Sequence, residues 1–307
     1  MGSVDDDTLP APPAQTIEVC YRHPDVQTRV HCTRCGRPIC PDCMIPAPVG
    51  FQCPECVEKA RREFRQGPGR PFRGGFRPTR VLLILIVVPF VFEVVRGGPQ
   101  TLFQNPPARV LFEMGAMYPP AVASGQFWRL FTAMFLHANL LHLAFNAYAL
   151  WLFGRAVEEE FGRANMVAIY FVTGFLASAA SYAFGPIDAL AVGASGAIFG
   201  IFGAFVAYNY RRRHLAVHSA QLRSAAMLLL LNAVLAIAYG AIDWRAHLGG
   251  LIAGFVAGYV AEGFGPPGRR RFVRAAGFAA LIAVGVALVV WRTNEIRELF
   301  GLDELLG

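Results

Sequence analysis

An all-α membrane protein that crosses the bilayer several times, preceded by a small polar domain, is the fold class this sequence predicts. Three observations carry the prediction. Hydrophobic residues make up 55% of the 307 positions, more than a typical soluble domain holds. They are clustered, so that from Val81 onward long uncharged runs alternate with short Arg-containing breaks. All seven cysteines, by contrast, precede residue 57. A run of about 20 apolar residues spans a bilayer as a helix, because lipid offers no partner for free backbone N–H and C=O groups.

The chain is expected to divide into five segments. Residues 1–16 are acidic and Pro-rich, lack the apolar stretch of a signal peptide, and are expected to be disordered. Residues 17–62 are Cys-rich and hydrophilic. Residues 63–79, rich in Gly, Pro, Arg and Phe, form an expected flexible linker. Residues 80–292 form the membrane domain and residues 293–307 a C-terminal tail.

Seven spans are expected, over Val81–Val95, Ala138–Phe153, Ala164–Phe184, Ser195–Tyr210, Ser224–Tyr239, Ala246–Glu262 and Phe272–Trp291. The stretch Arg96–Phe135 is long for a turn. It carries Phe112, Met117, Tyr118, Phe127 and Trp128, so it is expected to lie in the interface, where aromatic rings are favoured.

The formal net charge of +7 does not point to nucleic acid, because the arginines fall at the ends of apolar segments and therefore fix orientation. With the N-terminus inside, the inner breaks hold the cluster from Arg61 to Arg80, Arg155, Arg163, Arg211–Arg213, Arg223, Arg269–Arg271 and Arg274. The outer breaks hold only Arg96, Arg109, Arg129, Arg245, Arg292 and Arg297. This places the Cys-rich segment in the cytosol and the starts of the fourth and sixth spans near the outer face of the cell membrane.

Cys20, His23, Cys32, Cys35, Cys40, Cys43, Cys53 and Cys56 form four pairs, each with two intervening residues. Two intervening residues let a tight knuckle present both side chains to one ion. Zinc takes four N/S ligands in a tetrahedron, so eight ligands make two closed, structural sites. Disulfides need an oxidising compartment and would leave an odd thiol. His31 is an alternative to His23 at poorer spacing. The segment is similar to a B-box-type zinc finger, a family that mostly mediates protein contacts. In a cross-brace finger the first pair joins the third and the second joins the fourth. So short a segment has little core, and metal binding would supply most of its folding free energy.

Polar groups at membrane depth are functional candidates by default. Gly193-Ala194-Ser195-Gly196 begins the fourth span; alone, such a motif points rather to close helix packing. His247 begins the sixth span, and Gly250, Gly254 and Gly258 share its helical face. With Gly196, Gly200 and Gly203 on the fourth span, two glycine-lined faces would let the helices approach and bring Ser195 within reach of His247. His142 and Asn146 lie four apart on one face of the second span. They can donate hydrogen bonds to a developing oxyanion, as can the Ser195 amide, or can staple two helices. Asp243, four residues before His247, is expected to be an interfacial residue rather than the third member of a triad.

Trp128-Arg129, His142-x3-Asn146, Gly193-Ala194-Ser195-Gly196 and Ala246-His247-Leu248-Gly249-Gly250, in this order, resemble the motifs of the rhomboid family of intramembrane serine proteases. The resemblance covers roughly Arg80–Trp291. It implies a six-helix bundle with one extra C-terminal transmembrane helix. It implies Ser195 as nucleophile and His247 as base, with His142, Asn146 and the Ser195 amide as the oxyanion site and no catalytic cofactor. His137 matches a further structural histidine, and Phe199 stands where some members carry a Tyr. The implied partners are membrane proteins cut in or beside a transmembrane helix. A non-catalytic rhomboid-like protein that binds membrane clients is the alternative. A transporter would be expected to show an internal repeat, and none is evident.

Overall fold

A computed structural model of the chain describes residues 18–47, 49–66, 77–239, 242–263, 266 and 268–300. The segment 1–16, expected to be disordered, lies outside the described residues, as do residues 67–76 of the expected linker and 301–307 of the expected tail. Two compact units divide at Arg73/Gly74, within the expected linker.

The first unit contains two short antiparallel ladders. Strand β1 (Glu18–Val19) pairs with β2 (Gln27–Thr28), and β3 (Ile45–Pro46) with β4 (Phe51–Gln52). Helix α1 (Pro54–Gln66) follows, opened by a proline, which suits the first helical position. Its core is Ile39 together with six buried cysteines, with Tyr21, Val30 and Met44 packed against them. Sulfur, not hydrocarbon, fills most of this interior. Residues 63–66, expected as linker, continue α1 to the last residue described before position 77.

The second unit contains α2 (Pro78–Gly97), α3 (Ala108–Met114), α4 (Pro119–Ala123), α5 (Arg129–Thr132), α6 (Leu140–Phe161), α7 (Arg163–Phe184), α8 (Ser195–Arg211), α9 (Ala216–Tyr239), α10 (Trp244–Glu262) and α11 (Arg270–Phe300). The seven long ones fall on the seven expected spans. By length and composition α2, α6, α7 and α11 are able to cross a membrane. At 17 residues, α8 is about 25 Å long. It is an interior element, packed between α6, α7 and α10. The fold is a multi-pass helical membrane fold, and α11 packs on α7 and α10 as the additional helix.

Two further corrections to the expected boundaries have local causes. The linker was expected to reach residue 79, yet α2 begins at Pro78. The Thr79 amide and hydroxyl both donate to Glu158 Oε2, at 3.1 and 2.6 Å. A carboxylate thus satisfies a free N–H in the first turn of α2. The expected tail from residue 293 is helical as far as Phe300. Thr293 shares a hydrogen bond with the buried Tyr182 hydroxyl (2.9 Å), Ile296 is buried, and Arg297 Nε donates to the Ala123 carbonyl (2.9 Å).

The contact between α8 and α10 depends on glycine. A Cβ on Gly250 would sit 2.1 Å from the Gly196 carbonyl oxygen, and one on Gly254 would sit 1.9 Å from that of Gly200. The two backbones touch, as small residues permit in membranes.

The expected interfacial loop folds around Arg129, which is 3% exposed. Its guanidinium donates to Gln126 Oε1 (2.7 Å) and to the Phe112 and Ala116 carbonyls (2.7 and 3.0 Å), and lies over the Phe112 and Trp128 rings. Met117 then exchanges two backbone hydrogen bonds with Ala191, at 3.0 and 2.9 Å. The loop therefore braces the segment that leads into Ser195.

Candidate active site and metal-ligand clusters

Ser195 is the first residue of α8 and His247 lies in the first turn of α10. The glycine contact beneath them brings Ser195 Oγ to 2.8 Å from His247 Nε2. At this distance a hydroxyl and an imidazole can exchange a proton. Phe199, one turn after Ser195, stacks on the imidazole with centroids 4.3 Å apart. The turn before Ser195 needs its glycine. Gly193 has φ +134, and a Cβ there would lie 2.9 Å from His142 Cε1, 3.1 Å from His142 Nε2 and 3.6 Å from Ser195 Oγ. Its N–H donates to the Ala133 carbonyl at 2.9 Å, so the backbone threads between the histidine and the serine.

Asn139 caps α6 by accepting from the His142 amide at 2.9 Å. The Ala138 N–H donates to His142 Nδ1 at 3.4 Å. An accepting Nδ1 in a neutral imidazole leaves the proton on Nε2, the nitrogen nearer Gly193. Asn146, 5% exposed, donates from Nδ2 to the His142 carbonyl at 3.0 Å and keeps a second amide hydrogen. His137 is fully buried, with its ring 5.2 Å from that of His142. Asp243 does not extend the pair. It caps α10 by accepting from the Arg245 and Ala246 amides (3.2 and 3.1 Å), and also accepts a hydrogen bond from the Ser181 hydroxyl. Its expected interfacial role becomes a half-buried helix cap.

The sequence reading did not single out Glu93. It is fully buried on α2 and accepts the His137 N–H on both oxygens, at 3.0 and 3.3 Å. A lone acid in the apolar run from Val81 to Val95 was the available signal.

In the first unit the cysteine pairs alternate. Cys20, His23, Cys40 and Cys43 form one cluster, and Cys32, Cys35, Cys53 and Cys56 another; within each, the ligand atoms all lie within 4.8 Å of one another. Tetrahedral zinc would separate two sulfurs by about 3.8 Å and sulfur from nitrogen by about 3.5 Å, from its usual bond lengths. Cys35 and Cys53 sulfurs are 3.8 Å apart, and His23 Nδ1 lies 3.9, 3.1 and 3.5 Å from the sulfurs of Cys20, Cys40 and Cys43. The donors thus fit a metal of this kind. The hydrogen bond that Arg37 Nε donates to Cys35, at 3.3 Å, holds that thiol below its ordinary pKa and favours the ligating thiolate. His31 belongs to neither cluster and pairs with Glu18 at 2.7 Å.

Residues 124–263 match the Rhomboid domain family, a stretch that holds His137, His142, Asn146, Ser195, Phe199 and His247 and leaves residues 17–62 outside. The chain is similar to the rhomboid protease GluP of Bacillus subtilis, at 35% identity over 202 residues, which are 64% of this chain and 37% of the relative. It is 32% identical to rhomboid-like protease 1 of Toxoplasma gondii over 187 residues, 60% of this chain and 64% of the relative. It is 34% identical to the rhomboid YdcA of Bacillus subtilis over 143 residues, 47% of this chain and 71% of the relative. The chain thus spans less than two thirds of the length of the first two.

Proposed function

Because this chain belongs to the rhomboid family, we propose that it is an intramembrane serine protease that cuts the transmembrane segments of other membrane proteins. The observation that carries the reading is the 2.8 Å contact between Ser195 Oγ and His247 Nε2.

Ser195 Oγ attacks the scissile carbonyl carbon while His247 Nε2 takes its proton. The tetrahedral oxyanion accepts hydrogen bonds from the Ser195 amide, from Nε2–H of His142 and from the free amide hydrogen of Asn146. As the tetrahedral species collapses, the C–N bond breaks and His247 returns the proton to the leaving amine. A water then attacks the acyl-enzyme, losing its proton to His247, and Ser195 regains its hydrogen. With Asp243 occupied as a cap, the unit is a dyad.

A helical backbone hides its carbonyls in hydrogen bonds, so substrates carry Gly or another weak helix former near the cut that lets a few positions unwind. The arginine asymmetry puts the N-terminus in the cytosol and the dyad near the outer face, where water reaches it. Residues 17–62 act as a B-box-like finger that holds two zinc ions. Cys20, His23, Cys40 and Cys43 bind one ion, and Cys32, Cys35, Cys53 and Cys56 the other. Zinc supplies cross-links that stand in for a hydrocarbon core, and the finger serves contact with a cytosolic protein.

The test is cleavage of a single-span substrate by the purified chain and by Ser195→Ala in liposomes, with a serine-reactive probe on both. Cleavage and labelling by the wild type that vanish in the variant support the reading. Equal cleavage by both removes Ser195 as nucleophile. Absence of both cleavage and labelling in the wild type favours a client-binding protein instead.

A further inference from the structure

His137, buried, and Ala138, half-buried, link the turn at Ala133–Phe135 to the cap of α6. Buried backbone N–H groups need acceptors. Among the described residues neither of these two N–H groups has a backbone acceptor. The His137 N–H is taken by Glu93, and the next N–H, that of Ala138, is taken by His142 Nδ1. Two consecutive amides thus run from the carboxyl of α2 to the imidazole placed in the oxyanion site. Among the described residues Glu93 makes no ion pair, so no counter-charge accounts for an acid at membrane depth. The His137 ring packs edge-to-face with that of His142, and neither of its ring nitrogens has a hydrogen-bond partner among the described residues. Its contribution here is its backbone and its ring contact with His142.

We infer that Glu93 is a positioning residue for the oxyanion histidine: by holding the His137 amide it aims the Ala138 N–H at His142 Nδ1 and so keeps the proton of His142 on Nε2. This rests on the proteolytic reading above. The requirement is an acceptor, not a charge. Without one, the orphaned His137 N–H is relieved by rotation of the link, the peptide that carries the Ala138 N–H turns with it, and His142 loses the donor that sets its tautomer. A carboxamide in place of the carboxyl still accepts. An apolar side chain of similar length does not.

The experiment uses the full chain in liposomes. Steady-state cleavage of a single-span substrate is measured for wild type, Glu93→Gln and Glu93→Met. The His142 tautomer is read by nitrogen-15 NMR of histidine-labelled protein, with the signal assigned from a His142→Ala sample. Glu93→Met is expected to lose about 10- to 100-fold in kcat, somewhat less than deletion of an oxyanion donor. Its KM should stay within about twofold, and its His142 signal should leave the Nε2–H form. Glu93→Gln is expected to keep kcat within about threefold, with the tautomer retained. A Met variant that loses kcat with the tautomer unchanged overturns the inference, as does a folded Gln variant as slow as Met. The Gln variant decides alone where Met fails to fold. A tautomer that moves while kcat does not would uphold the positioning and remove His142 from the oxyanion site, so the two readings fail separately.

Discussion

The Phe199 ring lies on the His247 imidazole with planes only 11° from parallel. One helix therefore presents the hydroxyl of Ser195 and, one turn later, the ring that stacks on His247, the proposed base on α10. A phenol is not needed for this, since the contact is made by the ring face. Phe199→Tyr should keep kcat within about twofold. Phe199→Ala should lower it about 2- to 10-fold, the size of an aromatic pair. Kinetics on a single-span substrate decide this, and an Ala variant as fast as wild type would remove the stacked ring from the mechanism.

Asp243 separates a dyad from a triad. Asn caps a helix as well as Asp, so Asp243→Asn should retain cleavage within about threefold. A third catalytic member would cost on the order of 10⁴ in kcat. Asp243→Ala should cost about 1 kcal/mol of stability through loss of the cap, seen as a lower midpoint in thermal unfolding.

The backbone contact between α8 and α10 has no room for a methyl group. Gly254→Ala places a Cβ 1.9 Å from the Gly200 carbonyl oxygen and should destabilise by about 1–3 kcal/mol, with loss of cleavage as Ser195 and His247 separate. Gly268, where an added Cβ meets nothing within 4 Å, supplies the control: Gly268→Ala should leave both unfolding and cleavage unchanged.

Elemental analysis of the full chain should find two zinc ions per chain. His23→Ala should hold one. His31→Ala should hold two, because His31 turns to Glu18. A wild type carrying no zinc, or His31→Ala losing an ion, would refute the ligand assignment.

The seven long helices were legible because each is a long apolar run bounded by polar or Arg-containing breaks, and the cysteine pairs because ligand spacing is local. The stretch Arg96–Phe135 carries the sequence of a loop. Its helices, such as Pro119–Ala123 and Arg129–Thr132, are too short to show a period, and Arg129 organises them through carbonyls that no pattern reveals. The last turns of α11 looked like a tail because Thr293-Asn294-Glu295 is polar, yet Thr293 and Ile296 face the protein. The partners of Ser195 were readable as residue types. Glu93 was not singled out, since its role depends on a backbone amide 44 positions away.

The interleaving of the two cysteine clusters sets an order on biosynthesis. Neither can close on its first ligands. The first must wait for Cys43 to be made and the second for Cys56, and both come before Pro78 opens the first apolar helix. Chains fold from the N-terminus as they are synthesised. With zinc held as proposed, the first unit would capture metal while the membrane domain is still being translated, and a ribosome in a zinc-poor cell would deliver to the membrane a chain whose leading end is still open.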